Sequence, residues 1–249
     1  MEYRDPFATA QYGAQTKAAA YDLGLRAYML KIYNYMASAL ALTGIVALGA
    51  SQSDAFINAL YNVQNGNVVG MSMFGWLVVL APLGLVLWLS FGINRLSASA
   101  AQAIFWAYSA LVGLSLTSIF LVYTGESIAR TFFVTAGTFG AMSIYGYTTK
   151  RDLTGFGSFL MMGLIGLILA SIVNMFMQSS ALAFATSVIG VLIFVGLTAY
   201  DTQKLKNMYY QVAGNAEAMA KTSIMGALAL YLDFINIFMY MLRFMGDRR

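Results

Sequence analysis

The 249-residue chain contains no cysteine and no histidine. Without cysteine it forms no disulfide, no thiolate metal site and no thiol nucleophile. Without histidine it lacks the side chain that most often changes charge near neutral pH, and the commonest metal ligand. These absences exclude a Ser-His-Asp hydrolase and a histidine-ligated zinc enzyme. A pH sensor in this chain has to use carboxylates.

Charged residues are also scarce. They make up 10% of the chain, against about 25% in ordinary soluble domains. Hydrophobic residues make up 60%, and the mean hydropathy is +0.71. A soluble protein of this size covers its surface with polar side chains, and this chain has too few of them. The composition therefore predicts an integral membrane protein.

Seven apolar segments have the length of about 20 residues that a membrane-spanning helix needs. They are Ile32–Ala50, Met71–Phe91, Ala100–Tyr123, Ile128–Tyr147, Gly157–Met177, Leu182–Tyr200 and Ile224–Leu242. Because the segments are continuously apolar and do not alternate, they disfavour a β-barrel. The predicted fold class is all-α integral membrane, with a seven-transmembrane-helix bundle over residues 32–249. Residues 1–31 form a polar segment that lacks a secretory pattern.

Basic residues predict the orientation of the bundle. They precede the first segment and then fall in alternate loops, at Lys17, Arg26, Lys31, Arg95, Lys150, Arg151, Lys204, Lys206 and Lys221. This alternation predicts a cytoplasmic amino terminus. Arg130 and the terminal residues Arg243, Arg248 and Arg249 do not follow it. The charges alone leave open whether the seventh segment crosses the membrane completely.

Asp233 lies at the centre of the seventh apolar segment. An ionisable group within hydrocarbon costs roughly 2.5–3.5 kcal/mol or more, so it needs a partner or a water-filled cavity. At helical spacing its face continues through Asn236, Tyr240 and Arg243. This polar stripe predicts a face turned toward the bundle interior, with Asn236 and Tyr240 as candidates to line a pore.

Asp201 lies at the end of the sixth segment, and a turn near Gly214–Ala218 places it at about the depth of Asp233. Two carboxylates that meet at low dielectric cannot both ionise cheaply, so they share a proton and titrate as a pair. Such a pair would supply a pH sensor without histidine. The alternative is a static hydrogen bond that pins two helices together.

Two arginines lie near the ends of apolar segments, Arg95 after the second and Arg130 at the start of the fourth. Arg95 is either a loop residue that follows the charge rule, or a side chain that reaches inward and pairs with Asp201. Arg130 is interpreted most simply as the partner of Glu126, at i, i+4 spacing.

The segment Gly226–Phe238, which reads GALALYLDFINIF, is followed by Leu242-Arg243-Phe244 and resembles the signature of the Bax inhibitor-1 family. Tyr200-Asp201, followed by Gln203 and Lys204, resembles the sixth helix of that family. The resemblance implies a bundle in which six helices surround a central seventh. It also implies a membrane cation leak, usually for calcium, that is controlled by protonation of Asp201 and Asp233. The resemblance further places Arg95 at or near an arginine that acts as a latch by binding the aspartate of the sixth helix.

The resulting expectation is a non-enzymatic calcium leak of the cell inner membrane, with Asp201 and Asp233 as sensor, gate and transient calcium ligands. Calcium is the permeant ion and no cofactor is expected. The expected partners are membrane lipid, calcium, protons and a possible membrane protease, with no nucleic acid. Two alternatives stay open, namely a non-conducting regulator of a membrane protease or of membrane-protein quality control, and a proton-coupled calcium exchanger.

Overall fold

The computed structural model describes residues 6–64 and 67–249. In that part of the chain there are nine helices and one two-stranded antiparallel hairpin. The helices are α1 Pro6–Ser51, α2 Asp54–Leu60, α3 Met73–Gly92, α4 Ala98–Ser115, α5 Thr117–Val122, α6 Gly125–Thr148, α7 Thr154–Met177, α8 Ser180–Val212 and α9 Ala216–Met245; the strands are β1 Tyr61–Gln64 and β2 Asn67–Met71. The polar segment predicted at residues 1–31 begins outside the described residues, and its later part belongs to α1.

Six stretches are long and apolar enough to cross a membrane. They are Asp22–Ser51, Met73–Gly92, Ala98–Val122, Thr154–Met177, Ser180–Val212 and Ala216–Met245. The predicted class, a helical membrane protein, is confirmed. The fourth predicted segment corresponds to α6, which is 24 residues long but is not among these six. Its hydropathy is lowered by hydroxyl side chains, three of which are fully buried, at Ser127, Thr131 and Thr135.

The helices end at two opposite faces of the bundle. At the first face, which we call the basic end, the side chain of Gln203 in α8 donates to the carbonyl of Arg151 at 2.7 Å. Lys206 donates to the carbonyl of Tyr147 at 2.7 Å, so the end of α6 and the last turns of α8 lie together. The α6–α7 loop, the end of α8 and the start of α9 form the basic end.

At the opposite face, which we call the tail end, the residues after α9 pair with the start of α6. Thr124 donates its backbone N–H to the carbonyl of Asp247 at 3.1 Å, and Tyr123 forms an isolated β-bridge with Arg248. α6 therefore begins at the tail end and finishes at the basic end, and α9 runs the other way along the whole bundle.

The core is built around α9. This helix packs against α1, α4, α6 and α8. Of the apolar stretch in α9, 61% is buried, compared with 17% in α3 and in α7. Tyr231, at the middle of α9, is fully buried, and its ring meets the rings of Phe105 and Tyr108 edge-on.

Two local predictions are corrected by the structure. The third segment is not one helix, because the chain breaks at Leu116 between α4 and α5. The predicted Glu126–Arg130 pair is not among the ion pairs of the described residues. Arg130 instead binds Asp247 at 2.8 Å, because pairing of the tail with the Tyr123–Thr124 segment brings that carboxylate to the first turns of α6.

Candidate functional site

Asp233 lies inside the bundle, on the side of α9 that packs against other helices. Only 4% of the residue is exposed. Its neighbours along the buried face of the helix are apolar, at Leu230, Phe234 and Ile237. Its Oδ2 atom is buried and has no hydrogen-bond partner among the described residues. A buried carboxylate oxygen without a donor is costly, because it has lost water and gained nothing in exchange.

Asp201 reaches this site from α8. The two helices form an antiparallel hairpin whose connection is Ala213–Asn215, close to the predicted turn. Gly214 adopts φ +100°, a conformation that side chains disfavour, and the Asn215 side chain caps α9 by accepting from the backbone N–H of Ala218 at 3.0 Å. α8 and α9 pack against each other along this hairpin, so Asp201 and Asp233 lie on neighbouring helices. That the two carboxyls meet stays a prediction.

The segment of α8 that carries Asp201 is held from two sides. Thr202 is fully buried and shares a hydrogen bond of 3.1 Å with Ser143 of α6. Gln203 accepts from the backbone N–H of Leu153 at 2.9 Å while its amide donates to the carbonyl of Arg151. These contacts fix the rotation of α8 about its axis, and therefore the side of the helix on which Asp201 lies. In the sequence, Gln203 stood out only as part of a motif, and neither Ser143 nor Thr202 was predicted to contribute.

Lys204 follows Asp201 by three residues in α8 and therefore lies on about the same side of that helix. The Lys204 ammonium also lies 5.9 Å from the centre of the Tyr200 ring. Lys204 lies in the last turns of α8, near the membrane surface, where a lysine side chain is expected to extend toward water.

Arg95 does not meet Asp201. It is exposed in the turn between α3 and α4, where its backbone N–H donates to the carbonyl of Gly92 at 2.9 Å. The described residues form two ion pairs, Arg130–Asp247 and Glu217–Lys221, and Arg95 belongs to neither. A cavity of about 430 Å³ at the basic end separates the α3–α4 turn from the Glu217–Lys221 pair.

The two pore-lining candidates are engaged in local contacts. Asn236 donates to the carbonyl of Leu232 in its own helix at 2.8 Å. The Tyr240 ring stacks on Phe194 of α8, with 6.0 Å between the ring centres, and the Arg243 guanidinium lies 5.7 Å from the centre of the Tyr240 ring. In this conformation Tyr240 fills the contact between α8 and α9.

The acidic side chains offer little for a resident metal ion. No group of three or more acidic, histidine or cysteine side chains that could hold one occurs among the described residues. Calcium prefers six to eight oxygen ligands, so two carboxylates provide a transient contact only. The structure thus defines a multi-helix membrane protein whose distinctive polar feature is a buried aspartate, Asp233, in its last helix.

Comparison with known proteins identifies the family. Residues 25–249 match the family described as "Inhibitor of apoptosis-promoting Bax1". The chain is 53% identical over 234 residues to a protein of Rickettsia prowazekii, covering 94% of this chain and 95% of that one. It is 52% identical over 227 residues to the Escherichia coli protein named "Inner membrane protein YbhL", covering 91% and 94%. The chain belongs to the Bax inhibitor-1 family.

This membership confirms the resemblance drawn from the α9 motif. It also confirms the predicted localisation, a multi-pass protein of the inner membrane. The side of the membrane on which the amino terminus lies stays a prediction.

Proposed function

We propose that the protein mediates a pH-dependent leak of calcium across the membrane, with Asp201 and Asp233 as its proton sensor and gate. The observation that carries the proposal is the environment of Asp233. This residue is almost completely buried, one of its carboxyl oxygens has no donor among the described residues, and the neighbouring helix α8 carries a second carboxyl, Asp201. Intramembrane carboxyls of this kind most often serve ion or proton pathways.

Sharing a proton with Asp201 would give the unpartnered oxygen of Asp233 a hydrogen-bond partner. When one carboxyl of the pair is protonated, its O–H can donate to the other and the pair holds α8 and α9 together. When the shared proton leaves, two negative charges repel each other at low dielectric. The α8–α9 contact around Tyr240 would then loosen, and calcium could use the carboxylates as transient oxygen ligands.

Arg95 enters the proposal as a latch for another conformation. A pairing of Arg95 with Asp201 would require the α3–α4 turn to move inward from its exposed position. α3 is suited to such a movement, because among the described residues α4 is the one long helix against which it packs extensively. Lys204, three residues after Asp201 on the same helix, would provide a nearby positive charge while Arg95 is away.

The proposed architecture is a bundle of seven crossings around α9. α6 serves as the seventh crossing, since it connects the tail end to the basic end and buries its hydroxyl side chains against other helices. The basic end then faces the cytoplasm and the tail end faces outward, in keeping with the excess of lysine and arginine at cytoplasmic loops.

Calcium flux into dye-loaded proteoliposomes at pH 6, 7 and 8 tests the proposal. The samples are the natural protein, Asp233→Asn, and Asp152→Asn as a matched control. Hydrogen bonds from the side chain and the backbone N–H of Thr154 hold the pKa of Asp152 below its usual value. That exposed carboxylate therefore stays ionised over the whole pH range.

We expect a flux graded with pH for the natural protein and the Asp152→Asn control, and a flat profile for Asp233→Asn. Absence of flux above empty liposomes at every pH contradicts the proposal and favours a non-conducting regulator of a membrane protease. A flux that disappears when the proton gradient is collapsed identifies a proton-coupled exchanger instead.

A further inference from the structure

A crevice opens between α1 and α6 on the membrane-facing side of the bundle. Both helices pack against α9, but among the described residues they do not pack extensively against each other. The gap contains two cavities in line, one of about 520 Å³ toward the basic end and one of about 300 Å³ toward the tail end. Phe234, Ile235 and Phe238 of α9 form the floor of the second cavity.

The cavity toward the basic end, which we call the lipid crevice, is lined mainly by apolar side chains. Its lining consists of Arg26, Met29, Leu30, Tyr33, Phe139, Gly140, Ser143, Ile144 and Tyr147. Leu30 is 51% exposed and Ile144 is 66% exposed, so its rim faces the surroundings of the bundle. At this depth those surroundings are hydrocarbon.

A glycine contributes to the width of the crevice. A Cβ added to Gly140 of α6 would meet no atom within 4 Å, whereas one added to Gly146 of the same helix would collide with the backbone of Ala199. Gly146 thus permits α6 to approach α8, while Gly140 leaves space toward α1. That empty space can be filled by substitution without touching a neighbour.

Charge is concentrated where the crevice reaches the basic end. Arg26 of α1 lines the cavity at that end, and Tyr147 lies opposite on α6. The ammonium of Lys206 is bound to the Tyr147 carbonyl and lies 5.1 Å from the centre of its ring. Arg26, Lys206 and Tyr147 therefore mark the level at which apolar lining gives way to a basic rim, and Tyr33 lies about two turns deeper on α1. Tyrosine is enriched at that level in membrane proteins.

We propose that the lipid crevice binds one anionic phospholipid, with an acyl chain against Gly140 and the phosphate at Arg26. A chain of methylenes matches the apolar lining, and a phosphate matches a guanidinium that can donate two parallel hydrogen bonds. A partner helix fits less well, since a helix is 10–12 Å across and this cavity holds about one turn of it. An acyl chain gains little free energy by moving from the bilayer into the lipid crevice, because both surroundings are apolar. The selectivity between lipids therefore comes from the headgroup.

Native mass spectrometry of the delipidated full chain tests this proposal with phosphatidylglycerol and phosphatidylcholine added separately. The natural protein should retain phosphatidylglycerol about fivefold better, the ratio expected for one basic residue near anionic headgroups. Arg26→Gln should bring the two lipids to equal retention. Gly140→Leu should lower the retention of both, whereas Gly166→Leu, on α7 where an added Cβ also meets nothing, should change neither.

If Gly140→Leu does not elute as a folded protein, Leu30→Trp replaces it as the crevice-filling variant, because the larger side chain fills the same cavity from α1. Unchanged lipid retention in a folded crevice-filling variant overturns the proposal, and so does an unchanged lipid preference in Arg26→Gln. A polypeptide that co-purifies with the natural protein and is lost from Gly140→Leu also overturns it, because the occupant would then be a partner helix. None of these outcomes depends on calcium flux.

Discussion

The hydroxyl groups of Thr43 in α1 and Tyr231 in α9 lie 2.7 Å apart at the centre of the bundle. Thr43 also donates to the carbonyl of Ser109 in α4 at 2.9 Å, so Tyr231 is the donor in the hydrogen bond between the two side chains. One buried polar contact thereby joins α1, α4 and α9. It lies two residues from Asp233, on the same helix.

Removal of that contact should destabilise the bundle. Tyr231→Phe keeps the ring among Phe105 and Tyr108 but leaves Thr43 without its donor, and we expect a loss of about 1 kcal/mol in the free energy of unfolding. Tyr231→Ala also empties the ring site and should cost about 3–5 kcal/mol. Unfolding by SDS in mixed micelles measures both. Tyr145→Phe, at a residue that is 44% exposed, is the control, and equal stability of both Phe variants would contradict the assignment.

Two glycines of α6 should respond to alanine with opposite signs. Gly146 lies against the backbone of Ala199, so Gly146→Ala forces α6 and α8 apart and should cost about 1–3 kcal/mol. Gly137 is exposed and has free space around it, so Gly137→Ala should stabilise the helix by up to about 1 kcal/mol. Thermal unfolding in detergent measures both variants. A Gly146→Ala protein as stable as the natural one would contradict this prediction, because it would show that α6 and α8 can move apart without loss of stability.

Gln203 should control the order of the α6–α7 loop. Gln203→Ala removes the hydrogen bonds to Arg151 and Leu153 and leaves both backbone groups without a partner, which we expect to cost about 1–3 kcal/mol. Hydrogen exchange of residues 149–153 should accelerate. Gln211→Ala, at an exposed position of α8, should leave that exchange unchanged. Equal exchange in both variants would mean that the loop is held by other contacts.

Single cysteines can test the crossing of α9 directly, because the natural chain contains none. Lys150→Cys places a thiol at the basic end and Arg249→Cys places one at the tail end. A membrane-impermeant maleimide should label position 150 only from the cytoplasmic side and position 249 only from the opposite side. Labelling of both from one side would show that the two ends of the bundle do not lie on opposite sides of the membrane.

The sequence predicted most of the helices because hydrocarbon imposes a simple requirement, about 20 apolar residues for each crossing. It also placed Asp201 and Asp233 on neighbouring helices at similar depths, because a turn was expected near Gly214–Ala218 and α8 and α9 are joined there. That their side chains meet stays a prediction, based on the need of an ionisable group in an apolar segment for a partner. The hairpin of β1 and β2 had a signal that was missed. The dipeptide Asn65-Gly66 between two short β-rich segments is typical of a two-residue hairpin connection.

Other contacts could not be predicted because they depend on how each helix is rotated about its axis. Arg130 has a carboxylate one turn away, at Glu126, yet it pairs with Asp247 because the tail folds back along α6. Tyr240 carries a polar group on the predicted stripe, yet its ring packs flat on Phe194. A single sequence gives the spacing of side chains along a helix, but only tertiary packing decides which neighbours they meet.

The measurement that most directly tests the role of the aspartate pair is the pH profile of calcium flux for a complete set of variants. The set is the natural protein, Asp201→Asn, Asp233→Asn and the double variant. If the carboxyls share one proton and act as a unit, each single variant should abolish the pH dependence and the double variant should add nothing. A single variant that keeps the natural pH profile would contradict the role of the pair as the sensor.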